Sequence, residues 1–258
     1  MAYTDIEVHK EGAVRVLTIN RPQRRNAMTA QTVSCLNQEL ESAESDPEIG
    51  AVVLTGAGGH FSAGGDIDAI VQVARDGSDE TPMKFMRIFH RLVETVWTSP
   101  LPVVASVSGI AYGGAFNLAL ACDLIVCSAD ARFCEVFLRR GITADLGGAY
   151  LLPRLVGMQR AKELILLTPE ISALRAQELG LVNAVLPDAT TALAHAIDLS
   201  AQLAAGPRFA ISQTKRLLNA SMDGTLQSSL NLEASVQSGL LRSNGAKSAL
   251  DSFIAGTR

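Results

Sequence analysis

This 258-residue sequence has few charged residues and no basic run, and both features limit the partners that it can have. Charged residues make up 19% of the chain, below the ~25% typical of soluble domains, which predicts that neighbouring subunits cover part of its apolar surface. Lys and Arg number 22 against 26 Asp and Glu, and no basic run occurs. The net charge of −4 therefore argues against nucleic acid as a partner.

The four cysteines show neither a CxxC pair nor the spacing of metal ligands. We interpret them as reduced thiols of a cytoplasmic protein, and we predict no metal site. The first 12 residues lack the apolar core of a signal peptide. Residues 95–122 carry no charge, but proline and glycine interrupt them repeatedly. They therefore predict a buried strand, a turn and a buried helix rather than a membrane span.

Strand and helix patterns alternate through the first half of the sequence. Alternating apolar residues between Ile6 and Thr18 predict a hairpin, and Thr29 is predicted to cap the helix that follows it. The apolar runs at 51–55 and 103–107 predict parallel strands that are buried on both faces. This alternation is typical of an α/β protein.

Amphipathic helices dominate the remainder, so we predict an α/β core over residues 1–190 and a helical subdomain over residues 191–258. Within the core, residues 66–81 are rich in Asp and are predicted to be a mobile segment. Thr81 is then the predicted N-cap of a helix. The predicted buried face of that helix is formed by Met86, His90, Val93 and Trp97.

Two glycine-rich turns, at 56–65 and 109–114, each follow a predicted buried strand. Neither is a phosphate-binding loop, because no Gly-Lys-Ser/Thr follows and Phe61 stands where GxGxxG requires its third glycine. Backbone N–H groups from two such turns, one at a helix N-terminus, can bind a developing oxyanion. Composition alone leaves open the alternative that the glycines only form tight turns.

The motifs also occur in a defined order: Asn20-Arg21-Pro22, 61–66, 109–114, Asp123, 152–157 and 176–182. Over nearly the whole chain this order resembles that of the crotonase (enoyl-CoA hydratase/isomerase) superfamily. The resemblance implies a ββα spiral core and acyl-CoA substrates, with coenzyme A as part of the substrate and no separate cofactor. It also implies a homotrimer or a dimer of trimers, in which residues 191–258 form a trimerisation subdomain.

The resemblance assigns the oxyanion-binding N–H groups to Gly65 and Gly114. The two glutamates that handle water in the hydratases of the superfamily match Asn117 and Phe137 here, so both acids are absent. Because Asn does not titrate and Phe has no polar group, two-glutamate hydration is not expected. Glu135, two residues before Phe137, is a weak substitute.

Asp145 is the candidate catalytic acid or base. Some enoyl-CoA and dienoyl-CoA isomerases of the superfamily carry an acid near this place, the ring-epoxide isomerase of phenylacetyl-CoA degradation looks similar here, and chlorobenzoyl-CoA dehalogenase has an Asp nucleophile. A carboxylate among Phe137, Ile142 and Leu146 should have its pKa raised by desolvation, which suits proton transfer. The structural alternative is that Asp145 caps a helix that begins near Leu146.

His90 is the second catalytic candidate, because its spacing before the Pro-Val strand resembles that of the dehalogenase's general base. The structural alternative is a core-facing histidine. Arg24 and Arg25 match the loop that runs beside the adenosine end of CoA, although a surface Arg pair can also be merely solvated. The remaining predicted substrate contacts are Ala63, Asp66, Ile67, Asn117 and Phe137.

Three functional hypotheses follow. In the first, Asp145 moves a proton between carbons of an enoyl-CoA while two backbone N–H groups hold the thioester enolate, which gives double-bond isomerisation. In the second, Asp145 is the nucleophile and His90 activates water, as in an aryl-CoA dehalogenase or hydrolase. In the third, the chain is a non-catalytic acyl-CoA binder, since both hydratase glutamates are missing.

Overall fold

Strands and helices alternate along the chain in the computed structural model, which describes residues 4–78 and 80–256. The strands are β1 (Ile6–Glu11), β2 (Val14–Ile19), β3 (Ala51–Gly56), β4 (Val103–Val107), β5 (Ile110–Tyr112), β6 (Leu124–Ser128), β7 (Arg132–Cys134), β8 (Ile171–Ser172) and β9 (Ala184–Leu186). The helices are α1 (Ala30–Ser45), α2 (Ile67–Arg75), α3 (Glu80–Thr98), α4 (Gly114–Ala121), α5 (Gly148–Leu167), α6 (Ala173–Glu178), α7 (Ala189–Ala204), α8 (Arg208–Ser221), α9 (Leu226–Arg242) and α10 (Asn244–Ile254). The predicted α/β class is confirmed.

The main sheet has the strand order β1-β2-β3-β4-β6-β9. β1 and β2 form the predicted antiparallel hairpin, in which Ile6 pairs with Ile19. β3 is parallel to both β2 and β4, and both predicted central strands are almost fully buried, as strands covered on two faces must be. A second sheet has the order β5-β7-β8, so the glycine-rich turn after β4 contains a short strand.

Helix α1 begins directly after Thr29, as predicted. The Thr29 hydroxyl accepts a hydrogen bond from the Thr32 N–H at 3.1 Å, and the Thr32 hydroxyl accepts one from the Thr29 N–H at 3.2 Å. This reciprocal pair satisfies two amides that the helix itself leaves without partners. The predicted apolar face of α1, including Val33, Leu36 and Leu40, is buried against α3 and the hairpin.

The segment predicted to be mobile contains helix α2, which the sequence analysis missed. Asp66 caps this helix, because its carboxylate accepts a hydrogen bond from the Asp68 N–H at 3.1 Å. The negative charges of Asp66 and Asp68 at the start of α2 interact favourably with the positive end of the helix dipole. Residue 79, which belonged to the predicted mobile segment, lies outside the described residues.

Helix α3 corrects two predictions. It already includes Glu80, so Thr81 lies inside the helix and is not its N-cap. Pro82 is tolerated there because the first-turn N–H groups of a helix have no partner within it. The fully buried stripe is Phe89, Leu92 and Val96. His90, on the predicted buried face, is exposed, whereas Met86, Val93 and Trp97 are half-buried.

Helix α7 packs on the main sheet. Its Ala192 and Ala196 lie fully buried against the valines of β2, β3, β4 and β6, where small side chains allow close approach. The predicted boundary between residues 190 and 191 therefore falls inside a helix of the core. α8, α9 and α10 follow, and α10 was not predicted from the sequence.

Helix α8 contacts the core through a charged residue. Lys215 is 8% exposed, and its ammonium group donates to the carbonyls of Val96 and Leu101 at 3.0 and 3.2 Å. It also pairs with the Asp123 carboxylate at 2.7 Å, and that carboxylate accepts a bond from the Val103 N–H. Burial raises the pKa of Asp123, and Lys215 opposes this shift.

Helices long and apolar enough to cross a bilayer are absent from the described part of the chain. The interrupted helix predicted near Gly157 is confirmed within α5, where that residue has the non-helical angles φ 77° and ψ 158°.

Candidate active site

The two glycine-rich turns lie side by side. The Ser62 N–H donates to the Ile110 carbonyl at 3.0 Å, and the Tyr112 N–H donates to the Ser62 carbonyl at 3.1 Å. Gly64 has φ +89°, and a Cβ there would lie 2.6 Å from the Tyr112 carbonyl oxygen. Only glycine fits this close approach, so the conformation of the turn itself requires a glycine at position 64.

Both glycines assigned to the oxyanion hole, Gly65 and Gly114, line one narrow cavity of about 30 Å³. Gly114 is the first residue of α4, where backbone N–H groups have no partner within the helix. The apolar lining of the cavity is formed by Ile70, Phe85, Met86, Phe89, Phe137, Ile142 and Leu146. Its polar side chains are Tyr112, Arg140 and Asp145. A larger open hollow of about 410 Å³ lies on the surface of α5, away from these groups.

Asp145 lies beside the assigned oxyanion position. A Cβ built on Gly114 would be 3.6 Å from Asp145 Oδ1, so the carboxylate and the start of α4 face each other. Asp145 Oδ1 is buried and has no hydrogen-bond partner among the described residues. Burial raises the pKa of Asp145 to about 6, as predicted in direction. The carboxyl group can therefore exchange a proton near neutral pH.

Asp145 does not cap a helix in the structure, so its predicted alternative role is wrong. Helix α5 begins at Gly148, and its N-cap residue, Gly147, makes no side-chain capping bond. The carbonyl of Asp145, rather than its carboxylate, accepts the bond from the Gly148 N–H at 3.0 Å.

Asn117 and Glu135 contact each other next to the Asp145 loop, and neither lines the cavity. Asn117 is fully buried, and its Nδ2 donates to the Asp145 carbonyl at 2.9 Å. The same nitrogen makes a long contact of 3.5 Å with Glu135 Oε2. Asn117, predicted to contact substrate, is thus not among the residues that line the cavity, whereas Phe137 is.

Glu135 is the residue that sequence reasoning undervalued. It is 1% exposed, and burial raises its pKa to about 8; Asn117 opposes the shift and the charge of Asp145 adds to it. Strand β7 ends at Cys134 and a 3-10 helix runs over Val136–Arg140, so strand alternation does not relate Glu135 to Phe137. The available signal was one acid within an otherwise apolar run.

Arg24, Arg25 and Asp66, three of the predicted substrate contacts, do not line the cavity. Asp66 pairs with Arg21 at 2.9 Å and with Arg24 at 3.3 Å, and Arg24 also pairs with Asp68. Although burial alone would raise it, the pKa of Asp66 is lowered by these arginines and by the Asp68 N–H. The Arg24 guanidinium is thus engaged by two carboxylates, while Arg25 is exposed.

Two further predicted contacts are placed differently. Ala63 lines the cavity, and its N–H donates to the Arg25 carbonyl at 2.9 Å. Ile67 is 45% exposed at the start of α2.

His90 is exposed on α3, and the cavity receives its neighbours Met86 and Phe89 instead. The structure therefore does not bring His90 to Asp145, and it does not place His90 in the core either. Among the described residues, no group of three or more His, Cys, Asp or Glu side chains is arranged to hold a metal ion.

Comparisons with known proteins identify the family of the chain. A model of the enoyl-CoA hydratase/isomerase family matches residues 9–256. The chain is 35% identical to a 1,2-epoxyphenylacetyl-CoA isomerase of Escherichia coli (strain K12), over 96% of this chain and 94% of that relative. It is 32% identical to a short-chain-enoyl-CoA hydratase of Clostridium acetobutylicum, over 98% of this chain and 96% of that relative.

Solved structures give the same result. The crystal structure of an enoyl-CoA hydratase from Polaromonas sp. JS666 matches with a TM-score of 0.93 at 33% identity, over 97% of both chains. The chain therefore belongs to the enoyl-CoA hydratase/isomerase family. The resemblance to the crotonase superfamily is confirmed. The names of its relatives divide between hydratase and isomerase, so membership defines the class of enzyme rather than one reaction.

Proposed function

We propose that this enzyme isomerises a double bond in an enoyl-CoA thioester, with Asp145 as the proton carrier. The observation that carries the proposal is the position of the Asp145 carboxyl group, which lines the cavity and faces Gly114 with an unpaired oxygen. A general base needs such a free lone pair and a pKa near the working pH. A relative named 1,2-epoxyphenylacetyl-CoA isomerase supports an acyl-CoA isomerase as the class of enzyme.

The reaction needs two proton transfers. Asp145 removes a proton from one carbon of the acyl chain, and the electron pair moves towards the thioester carbonyl to give an enolate. The N–H groups of Gly65 and Gly114 stabilise the oxygen of this enolate by hydrogen bonding. Protonated Asp145 then returns the proton to another carbon, and the double bond has moved. No cofactor beyond the CoA of the substrate takes part.

Two-glutamate hydration is disfavoured by side-chain chemistry. Asn117 and Phe137 occupy the matching positions, and neither can hold or release a proton near neutral pH. The dehalogenase or hydrolase alternative needs His90 near Asp145, whereas His90 is exposed outside the cavity.

We extend the proposal to a cytoplasmic homotrimer or dimer of trimers. Large apolar side chains are exposed on the C-terminal helices, among them Leu226 at 77% and Ile254 at 82%. Contact with a second copy would remove such surface from water.

Solvent-deuterium exchange with unsaturated acyl-CoAs tests the chemistry. We expect deuterium to enter the acyl chain in the presence of the enzyme. Binding of the thioester without exchange at any chain length would instead support the non-catalytic alternative.

Gly114→Val tests the oxyanion assignment. A Cβ at Gly114 would already lie 3.2 Å from Leu146 Cδ2, so valine should block the thioester. Gly239→Val is the matched control, because a Cβ at Gly239 on α9 would meet nothing within 4 Å. Full exchange activity in Gly114→Val would show that the assignment is wrong.

A further inference from the structure

Three polar atoms around the Asp145 loop have no hydrogen-bond partner among the described residues. They are Asn117 Oδ1, Glu135 Oε1 and Asp145 Oδ1, and all three are buried. Unpaired buried polar atoms are rare in folded proteins, and a group of them calls for a functional explanation. Asn117 joins the group, since its Nδ2 contacts both the Asp145 carbonyl and the Glu135 carboxyl group.

The Asn117 side chain is held in place from several directions. It projects from the first turns of α4 and is fully buried. A Cβ at Gly148 would lie 2.4 Å from Asn117 Nδ2, so only glycine leaves room for the amide. The Asp145 carbonyl accepts bonds from both the amide and the Gly148 N–H.

The loop that carries Asp145 contains a strained residue. Leu146 follows Asp145 with φ +48°, a conformation that L-residues with large side chains rarely adopt. Such backbone strain persists where surrounding contacts determine the conformation. The two hydrogen bonds to the Asp145 carbonyl are contacts of this kind.

We infer that Asn117 and Glu135 are positioning residues for Asp145: Asn117 fixes its main chain, and Glu135 is a second carboxyl group that governs its charge from outside the cavity lining. The inference rests on the proposed function, since it concerns how Asp145 carries protons. Neither residue touches the cavity, so both act through Asp145.

The two carboxyl groups should lose their protons in two steps. Burial raises the pKa of Asp145 to about 6 and that of Glu135 to about 8. Near pH 7 we therefore expect the pair to carry one negative charge, mainly on Asp145. Ionisation of Glu135 adds a second negative charge, which raises the proton affinity of Asp145 and therefore slows the return of the proton from Asp145 to the acyl chain.

Two other ionisable groups near Glu135, Cys134 and Tyr112, have pKa values that are raised further above neutral pH. Burial raises the pKa of the Cys134 thiol, and burial together with Glu170 raises that of Tyr112 to about 12. Arg139 and Arg140 oppose the shift of Cys134. The charge of Asp145 itself contributes to the shift of Glu135.

The pH profile of kcat/KM distinguishes this positioning role from a merely structural one. The parent enzyme should gain activity as Asp145 ionises and lose it as Glu135 ionises. Glu135→Gln should keep the rising limb, whereas its falling limb should disappear or move up by at least about one pH unit. Glu178→Gln is the matched control, because Glu178 pairs only with Arg175 at the surface in the described contacts.

An unchanged falling limb in Glu135→Gln would overturn the inference. Failure of the proposed function looks different, because the parent enzyme would then show no exchange at any pH. In that case infrared spectroscopy decides the inference without turnover. With isotope-labelled glutamate, the parent protein at pH 7 should show the C=O band of a protonated glutamic acid that Glu135→Gln lacks. Absence of that band would overturn the inference.

Asn117→Leu tests the main-chain role separately. Leucine has a similar size but cannot bond to the Asp145 carbonyl. We expect kcat to fall by on the order of 10²-fold, because misplacement of a catalytic group by about 1 Å has that effect, while KM changes little. Equal changes in kcat and KM, or none, would contradict a positioning role for Asn117.

Discussion

Two aspartates near the cavity have the same side chain and opposite electrostatic surroundings. Asp66 is 4% exposed and lies between Arg21 and Arg24, which hold its pKa below the usual range. Asp145 has an unpaired oxygen, and burial raises its pKa to about 6. A paired carboxylate stabilises a loop, whereas an unpaired one is available to a substrate. The two aspartates differ in their partners rather than in residue type. Asp66 therefore has a structural role, whereas Asp145 is the candidate for the chemistry.

Asp145→Asn should have the largest effect on activity. Removing a general base typically lowers the rate by ~10²–10⁴-fold, and kcat of isomerisation should fall within this range. The free energy of unfolding at pH 8 should not fall, because a neutral amide replaces a desolvated charge. Steady-state kinetics and urea unfolding on the same samples measure both. Retention of activity would remove Asp145 from the mechanism.

Asp66→Asn should lower the stability of the protein, because Asp66 is the paired aspartate of the two. Arg21 would lose its buried partner, so the free energy of unfolding should fall by about 1–3 kcal/mol, less than for a fully buried pair because Arg21 and Arg24 are partly exposed. Asparagine can still cap α2. Asp68→Asn is the control, since that carboxylate is mostly exposed and its loss should matter less. A larger loss in Asp68→Asn would contradict the arrangement.

Glu135→Gln should change how stability depends on pH. Glu135 holds its proton in the folded state up to about pH 8 but in the unfolded state only to near 4.5, so the free energy of unfolding falls as pH rises through this window. The slope from one such group is at most about 1.4 kcal/mol per pH unit. Above pH 6, where Asp145 no longer contributes, the variant should lose this slope. Parallel curves for parent and variant in thermal unfolding would count against a buried neutral Glu135.

His90→Gln should have the smallest effect. The side chain is exposed on α3 and outside the cavity, so kcat for isomerisation should stay within about twofold of the parent value. Halide release from an aryl-CoA that is lost in this variant would instead support the dehalogenase alternative.

Periodicity and capping predicted much of the fold. Thr29 at the start of α1 and the buried strand β3 follow from local sequence, because a threonine cap and a short apolar run have few structural alternatives. The hydrophobic face of α3 was predicted one position away from Phe89, since neighbouring apolar residues give a helix two plausible stripes. Helix α2 was missed because Asp66 and Asp76, which flank it, made the whole segment resemble a loop.

The site was predicted in part. The motif order identified the glycine turns and Asp145, which the structure brings to one cavity. Glu135 could not be judged from spacing, because its place depends on where β7 gives way to a 3-10 helix. Likewise the pairing of Asp66 with Arg21 joins residues that lie 45 positions apart. Contacts of this kind are set by tertiary packing rather than by local pattern.

The Lys215 contact has a consequence for the order in which the chain assembles. Asp123, which receives the ammonium group, also accepts a bond from Val103 at the start of β4 and directly precedes β6. The acceptor for α8 is therefore complete only after these two strands have paired. Folding of the C-terminal helices onto the core should be a late step, and a shortened chain without α8 would leave the Asp123 carboxylate without its Lys215 counter-ion.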